Sequence, residues 1–136
     1  MLSGLQAARH ADSEFALEKS IVGDVLVVRF TGEATEKNAN AMVRRYFDLV
    51  LGCGARKVLA DLRQLEGRLS GSKTYFLMRN LPVKPVPRGI KTAVVESPDH
   101  GDYADFLENT AANAGIYLTS FLDYGDALAW LNSPRP

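Results

Sequence analysis

The chain has one cysteine, Cys53, two histidines, His10 and His100, and one tryptophan, Trp130. A lone cysteine excludes an intramolecular disulfide and any cysteine-rich metal site, and it suits a reducing compartment. Two histidines leave no basis for assembling a Ser-His-Asp or Cys-His catalytic set. No apolar stretch approaches the roughly 20 residues that span a bilayer. The opening MLSGLQAARHADSE lacks the apolar centre of a secretory signal. Residues 1–13 therefore read as a poorly ordered leader, 14–132 as one domain, and 133–136 as a frayed tail. The expectation is a cytoplasmic protein without stable membrane insertion.

Across 136 residues, sixteen bases balance sixteen acids, yet the charges are segregated. Residues 56–91 hold nine bases (Arg56, Lys57, Arg63, Arg68, Lys73, Arg79, Lys84, Arg88 and Lys91) against Asp61 and Glu66. Residues 92–136 hold seven acids against Arg135. A basic middle segment attracts phosphates, acidic head groups or an acidic partner, unless the two segments face each other and cancel. Cancellation is the simpler reading. Nucleic-acid binding is disfavoured, because the bases are not interleaved with aromatics and there is no overall basic excess.

Strand and helix signals alternate along the chain. FALEKSIVGDVLVVRFTG reads as two strands joined at Gly23-Asp24, a turn short enough to make an antiparallel hairpin. In TEKNANAMVRRYFDLVLGCG, residues Ala39, Met42, Val43, Tyr46, Phe47 and Val50 recur every three or four positions as one apolar stripe. Thr35 caps that helix, and Gly52 or Gly54 ends it. KVLADL is a strand and SKTYFLMRNL a helix, stopped by the three prolines of PVKPVPRG. KTAVVES is a buried strand, DYADFLENTAANAG a helix closed by Gly115, YLTSFL the last strand and DYGDALAWLNS the last helix. In that last helix Asp123 is the cap, and Ala127, Trp130 and Leu131 face inward. The order β-β-α-β-α-β-α-β-α predicts an α/β domain. Its single mixed sheet has about five strands, with an antiparallel N-terminal hairpin and four helices.

This order, the KTAVVES strand and the closing FLDYGDALAWL together resemble the SpoIIAA-like branch of the STAS domains. That family includes bacterial anti-sigma-factor antagonists and is often grouped by fold with lipid-carrying CRAL-TRIO domains. The resemblance implies a non-enzymatic regulatory domain without cofactors, working through a protein partner or a small ligand. The alternative it suggests is a carrier or sensor of an apolar or amphipathic molecule. The antagonists are phosphorylated within an Asp-Ser-Ser-Gly pattern, which aligns here with Arg68-Leu69-Ser70-Gly71. Arg68 replaces the acid, Leu69 stands at the phosphorylated position, and only the second serine survives, as Ser70.

The residues themselves leave three readings of QLEGRLSGSKTYFL. The simplest is that Ser70 or Ser72 caps a helix. A second is an anion cradle of Arg68, Ser70, Gly71, Ser72 and Lys73, using free amides at the helix start. A third is phosphorylation of Ser70. Loops 31–35, 66–72, 97–102 and 123–124 are expected to converge beyond the carboxyl ends of the parallel strands, where ligands of such sheets tend to sit. That convergence brings Arg63, Arg68 and Lys73 towards a polar rim of Asp99, His100 and Asp102, while Lys84, Arg88 and Lys91 lie at the opposite end. Asp99 or Asp102 serves most simply as a helix cap, since the loop lacks the further ligands a metal needs. Cys53, at a helix C-terminus, is not placed for thiolate activation. Tyr46, Phe47, Tyr75, Phe76, Phe106, Phe121 and Trp130 read as mainly core, some of them lining an apolar cavity. No catalytic residues and no metal site are expected. A homodimer is left open.

Overall fold

The computed structural model describes residues 15–81 and 88–134. The expected leader, His10, Lys84 and the last two tail residues fall outside them. The elements are β1 (Phe15–Val22), β2 (Val25–Glu33), α1 (Ala39–Cys53), β3 (Lys57–Glu66), α2 (Gly71–Arg79), β4 (Lys91–Val95), a 3-10 turn (Pro98–His100), α3 (Gly101–Asn113), β5 (Thr119–Phe121) and α4 (Tyr124–Asn132).

β1 and β2 pair antiparallel across a two-residue turn, where Gly23 takes a left-handed φ of 65°. The sheet then runs β1-β2-β3-β4-β5, with every later pairing parallel. Each crossover steps one strand in the same direction. Right-handed connections therefore put α1, α2 and α3 on one face of the sheet. The order and composition expected from the sequence hold throughout.

Two apolar cores result. On the three-helix face, Leu26, Val28, Phe30, Val58, Ala60 and Val94 meet Met42 and Val50 of α1 and Leu107 of α3. On the other face, Val25, Val27, Leu59, Ala93 and Val95 are covered by Ala127 and Leu131 of α4. Alternate strand residues thus serve opposite faces. Trp130 is only partly buried, tilted against Phe121 at 5.7 Å between ring centroids.

The sheet carries one irregularity near its carboxyl end. The β2–β3 register shifts between Arg29, opposite Asp61, and Thr31, opposite Gln64. The extra residue in β3 breaks its alternation, so Leu62 and Leu65 both enter the three-helix core while Arg63 and Gln64 stay exposed. Nothing in the hydrophobic pattern of KVLADLRQLE distinguishes such a bulge from the end of the strand.

The helix ends use local chemistry. Before α1, Thr35 N–H donates to Asn38 Oδ1 (2.9 Å) and Asn38 N–H donates to Thr35 Oγ1 (3.2 Å). This reciprocal pair fixes the turn that precedes α1, but the N-cap is Asn38, with no side-chain cap bond, and not the expected Thr35. Gly54, in left-handed conformation, closes α1, and Gly115 follows the end of α3. Asp123 caps α4 by accepting from Asp126 N–H at 2.8 Å.

Candidate functional site

The carboxyl ends of β2, β3, β4 and β5 gather the loops expected there. Ala34 N–H donates to Glu66 O at 2.8 Å, and Glu96 N–H donates to Phe121 O at 2.9 Å. Gly67 makes the closest approach. Its φ is +74°, and an added Cβ would lie 2.9 Å from the Ala34 carbonyl oxygen, so only glycine fits.

Arg68 turns inward at this point. Its Nε and Nη2 reach Glu96 Oε2 (2.8 Å) and Oε1 (2.7 Å), with side chains 7% and 0% exposed respectively. The guanidinium also donates to the carbonyl oxygens of Leu62, Leu65 and Gly67. Glu96 accepts a further bond from Ser97 N–H. Every donor direction of Arg68 is used within the fold, which removes it from the outward anion cradle in which the sequence grouped it. Its buried partner Glu96 was visible only as the acid ending an apolar strand.

Ser70, Gly71, Ser72 and Lys73 do come together at the start of α2. Ser70 Oγ accepts from Lys73 N–H at 3.3 Å and is the N-cap. Ser72 lies inside the first turn with its Oγ 3.4 Å from that of Ser70. Gly71 faces the ring of Phe106, 3.4 Å from where a Cβ would stand, so its smallness serves helix packing. The Lys73 ammonium pairs with Glu36 at 2.7 Å, both groups well exposed. A bond of about 1 kcal/mol at most is expected from such a pair.

Arg63, Arg68 and Lys73 are paired with Asp61, Glu96 and Glu36, not with the Asp99–His100–Asp102 rim, and of these acids Glu96 alone comes from the acidic segment 92–136. Arg63 forks onto buried Asp61 (Nε to Oδ1 2.9 Å, Nη2 to Oδ2 2.8 Å) and lies 5.0 Å above the Tyr124 ring. Burial alone would raise the Asp61 pKa. The hydrogen bonds and charge of Arg63, with Arg29 alongside, outweigh it and hold the carboxyl below its ordinary value. The polar rim is local instead: His100 Nδ1 lies 3.0 Å from Ser97 Oγ. Neither Asp99 nor Asp102 caps α3 through its side chain. Pro98 instead opens a 3-10 turn that leads into the helix, with Asp102 in its first turn. Among the described residues no three His, Cys, Asp or Glu side chains gather as a metal would require.

The aromatics divide three ways. Tyr75 and Phe76 of α2 are 44% and 60% exposed, and Phe106 of α3 is 38% exposed. This corrects their expected place in the core. α2 is short, with Thr74 alone fully buried, so its inward face has no room for them. Phe106 lies against Gly71, next to the Ser70 cap, and Tyr75 meets Phe76 edge-on at 5.6 Å, so the adjacent helices α2 and α3 carry three exposed rings, an aromatic ledge. Phe121 and Trp130 pack on the α4 face.

Tyr46 and Phe47 line a cavity of about 430 Å³ between the sheet and α1–α3. Phe30, Met42, Leu62, Leu65, Met78 and Leu107 form much of its wall, and Arg68 closes one end. Burial raises the pKa of both Tyr46 and Tyr103, so these hydroxyls stay neutral. They are occupied as well, with Tyr103 Oη 3.2 Å from Thr74 Oγ1 and Tyr46 bonded to Thr92.

No protein-family model matches the chain, and no curated protein matches it in sequence. Solved structures are similar to it in fold. An anti-sigma factor antagonist from Mycobacterium paratuberculosis is 17% identical with a TM-score of 0.61, the match covering 90% of this chain and 98% of that one. An uncharacterised protein from Shewanella loihica with a SpoIIAA-like fold is 18% identical with a TM-score of 0.53, covering 94% and 99%. The chain has this SpoIIAA-like fold, as the sequence resemblance implied. Neither structure bears on kinship with CRAL-TRIO domains. Among the described residues no helix is long and apolar enough to cross a membrane.

Proposed function

We propose that this protein is a non-enzymatic regulatory domain of the cytoplasm that binds a protein partner through the α2–α3 face at the carboxyl end of its sheet. The observation that carries this reading is the aromatic ledge of Tyr75, Phe76 and Phe106, exposed on the adjacent helices α2 and α3. Exposed, clustered aromatics are typical of the centres of protein interfaces. The ionisable groups around the ledge favour binding over catalysis, because Arg68, Arg63 and Lys73 are each paired with a carboxylate. The likeness in fold to an anti-sigma factor antagonist, a protein named for its action on other proteins, lends further support.

The test is photo-crosslinking in the native host, with a benzophenone amino acid at position 76 and, in a second strain, at position 21 on the far edge strand. The reading predicts a discrete protein adduct at position 76 and none at position 21. A second copy of this chain as the adduct would make the partner a homodimer. Absence of any discrete adduct at 76 would overturn the reading.

A further inference from the structure

The stripe of α1 predicted to be buried is buried only at Ala39, Met42 and Val50. Val43, Tyr46 and Phe47, on the same stripe, are only partly buried. These side chains line an apolar pocket of about 430 Å³ that opens to solvent. It falls within the range of roughly 300–1,000 Å³ typical of small-ligand sites.

The lining fixes the chemistry of an occupant. Among the described residues no buried side-chain nitrogen or oxygen lacks a partner, and the polar groups at the wall, those of Arg68, Tyr46 and Tyr103, bond within the protein. The interior therefore has nothing to offer a polar molecule and would leave its groups unpaired. The mouth differs. The exposed lining residues are Arg88, Gly89, Gly115 and Tyr117. Arg56 adds a second guanidinium there, its Nη2 3.8 Å from where a Gly89 Cβ would stand. This end lies beyond the amino ends of β3 and β4, away from the aromatic ledge.

We propose that the cavity binds one apolar molecule with a terminal anionic group, its body against Tyr46, Met78 and Leu107 and its head beside Arg88 at the mouth. A long-chain carboxylate has this chemistry. The inference is independent of the protein-partner reading and goes beyond it.

The experiment is displacement of a fluorescent undecanoate from the full chain by oleate and, in parallel, by oleyl alcohol. Wild type should bind one probe per chain and prefer oleate. Arg88→Glu, an exposed change, should weaken oleate about fivefold or more while leaving oleyl alcohol unaffected. Val43→Trp, which fills the cavity from α1, should abolish binding of both. If Val43→Trp does not fold, Arg88→Glu alone decides the matter. Binding of many probes per chain, no saturable binding, or equal responses of acid and alcohol to Arg88→Glu would each overturn the proposal.

Discussion

Arg68, at the end of the loop after β3, and Glu96, just past β4, are 28 positions apart in sequence and form a two-pronged ion pair sealed from solvent. The pair ties the start of α2 to the centre of the sheet. Removing one partner from a buried pair leaves the other charge uncompensated, which typically costs about 3–5 kcal/mol. Glu96→Ala should lose about that much in urea unfolding. Replacing both residues with apolar ones should recover most of it. Equal stability of Glu96→Ala and wild type would mean the pair is not closed in solution.

Asp61 sets a pH dependence. Its folded pKa lies below the ordinary carboxyl value of about 3.9 because Arg63 stabilises the ion more than burial penalises it. The resulting stability is fully present above that ordinary value and is lost as pH falls through the lower folded pKa. The difference in stability between wild type and Asp61→Asn should therefore be constant from pH 7 to about 5 and shrink between about pH 4 and 2. A difference that grows on acidification would contradict the assignment.

Gly67 should tolerate no side chain. Gly67→Ala combines a left-handed φ with a close contact to the Ala34 carbonyl and should cost about 2 kcal/mol or more by chemical denaturation. Gly23→Ala, with the same sign of φ but open space around it, should cost less. Equal costs would show that conformation alone matters.

The two serines should separate. Ser70→Ala removes the N-cap acceptor and should cost about 0.5–1 kcal/mol, whereas Ser72→Ala, inside the first turn, should stay within about 0.5 kcal/mol of wild type. The two costs, read from thermal unfolding, would be reversed if Ser72 were the cap.

Local signals made the fold legible. Strand and helix order followed from alternation, Gly23-Asp24, Gly54, Gly115 and the Asp123 cap, all of which act within a few residues. Tertiary pairing was not legible. The sequence set Arg63, Arg68 and Lys73 near Asp99, His100 and Asp102, but their acids proved to be Asp61, Glu96 and Glu36. Charge counts do not record which way a side chain turns. The β3 bulge reset the phase that would have pointed to Leu65, and the shortness of α2 sent Tyr75 and Phe76 outward. Periodicity marks an apolar stripe but not whether atoms or a cavity lie beneath it.

If the α2–α3 aromatic ledge is a protein-binding surface, its most direct test is the affinity of the protein crosslinked at position 76 for wild type, Phe76→Glu and the edge-strand control Ile21→Glu. A loss of tenfold or more is expected for Phe76→Glu, as for an aromatic at an interface centre, and no change for Ile21→Glu. Equal affinity of all three proteins would contradict a binding role for the ledge.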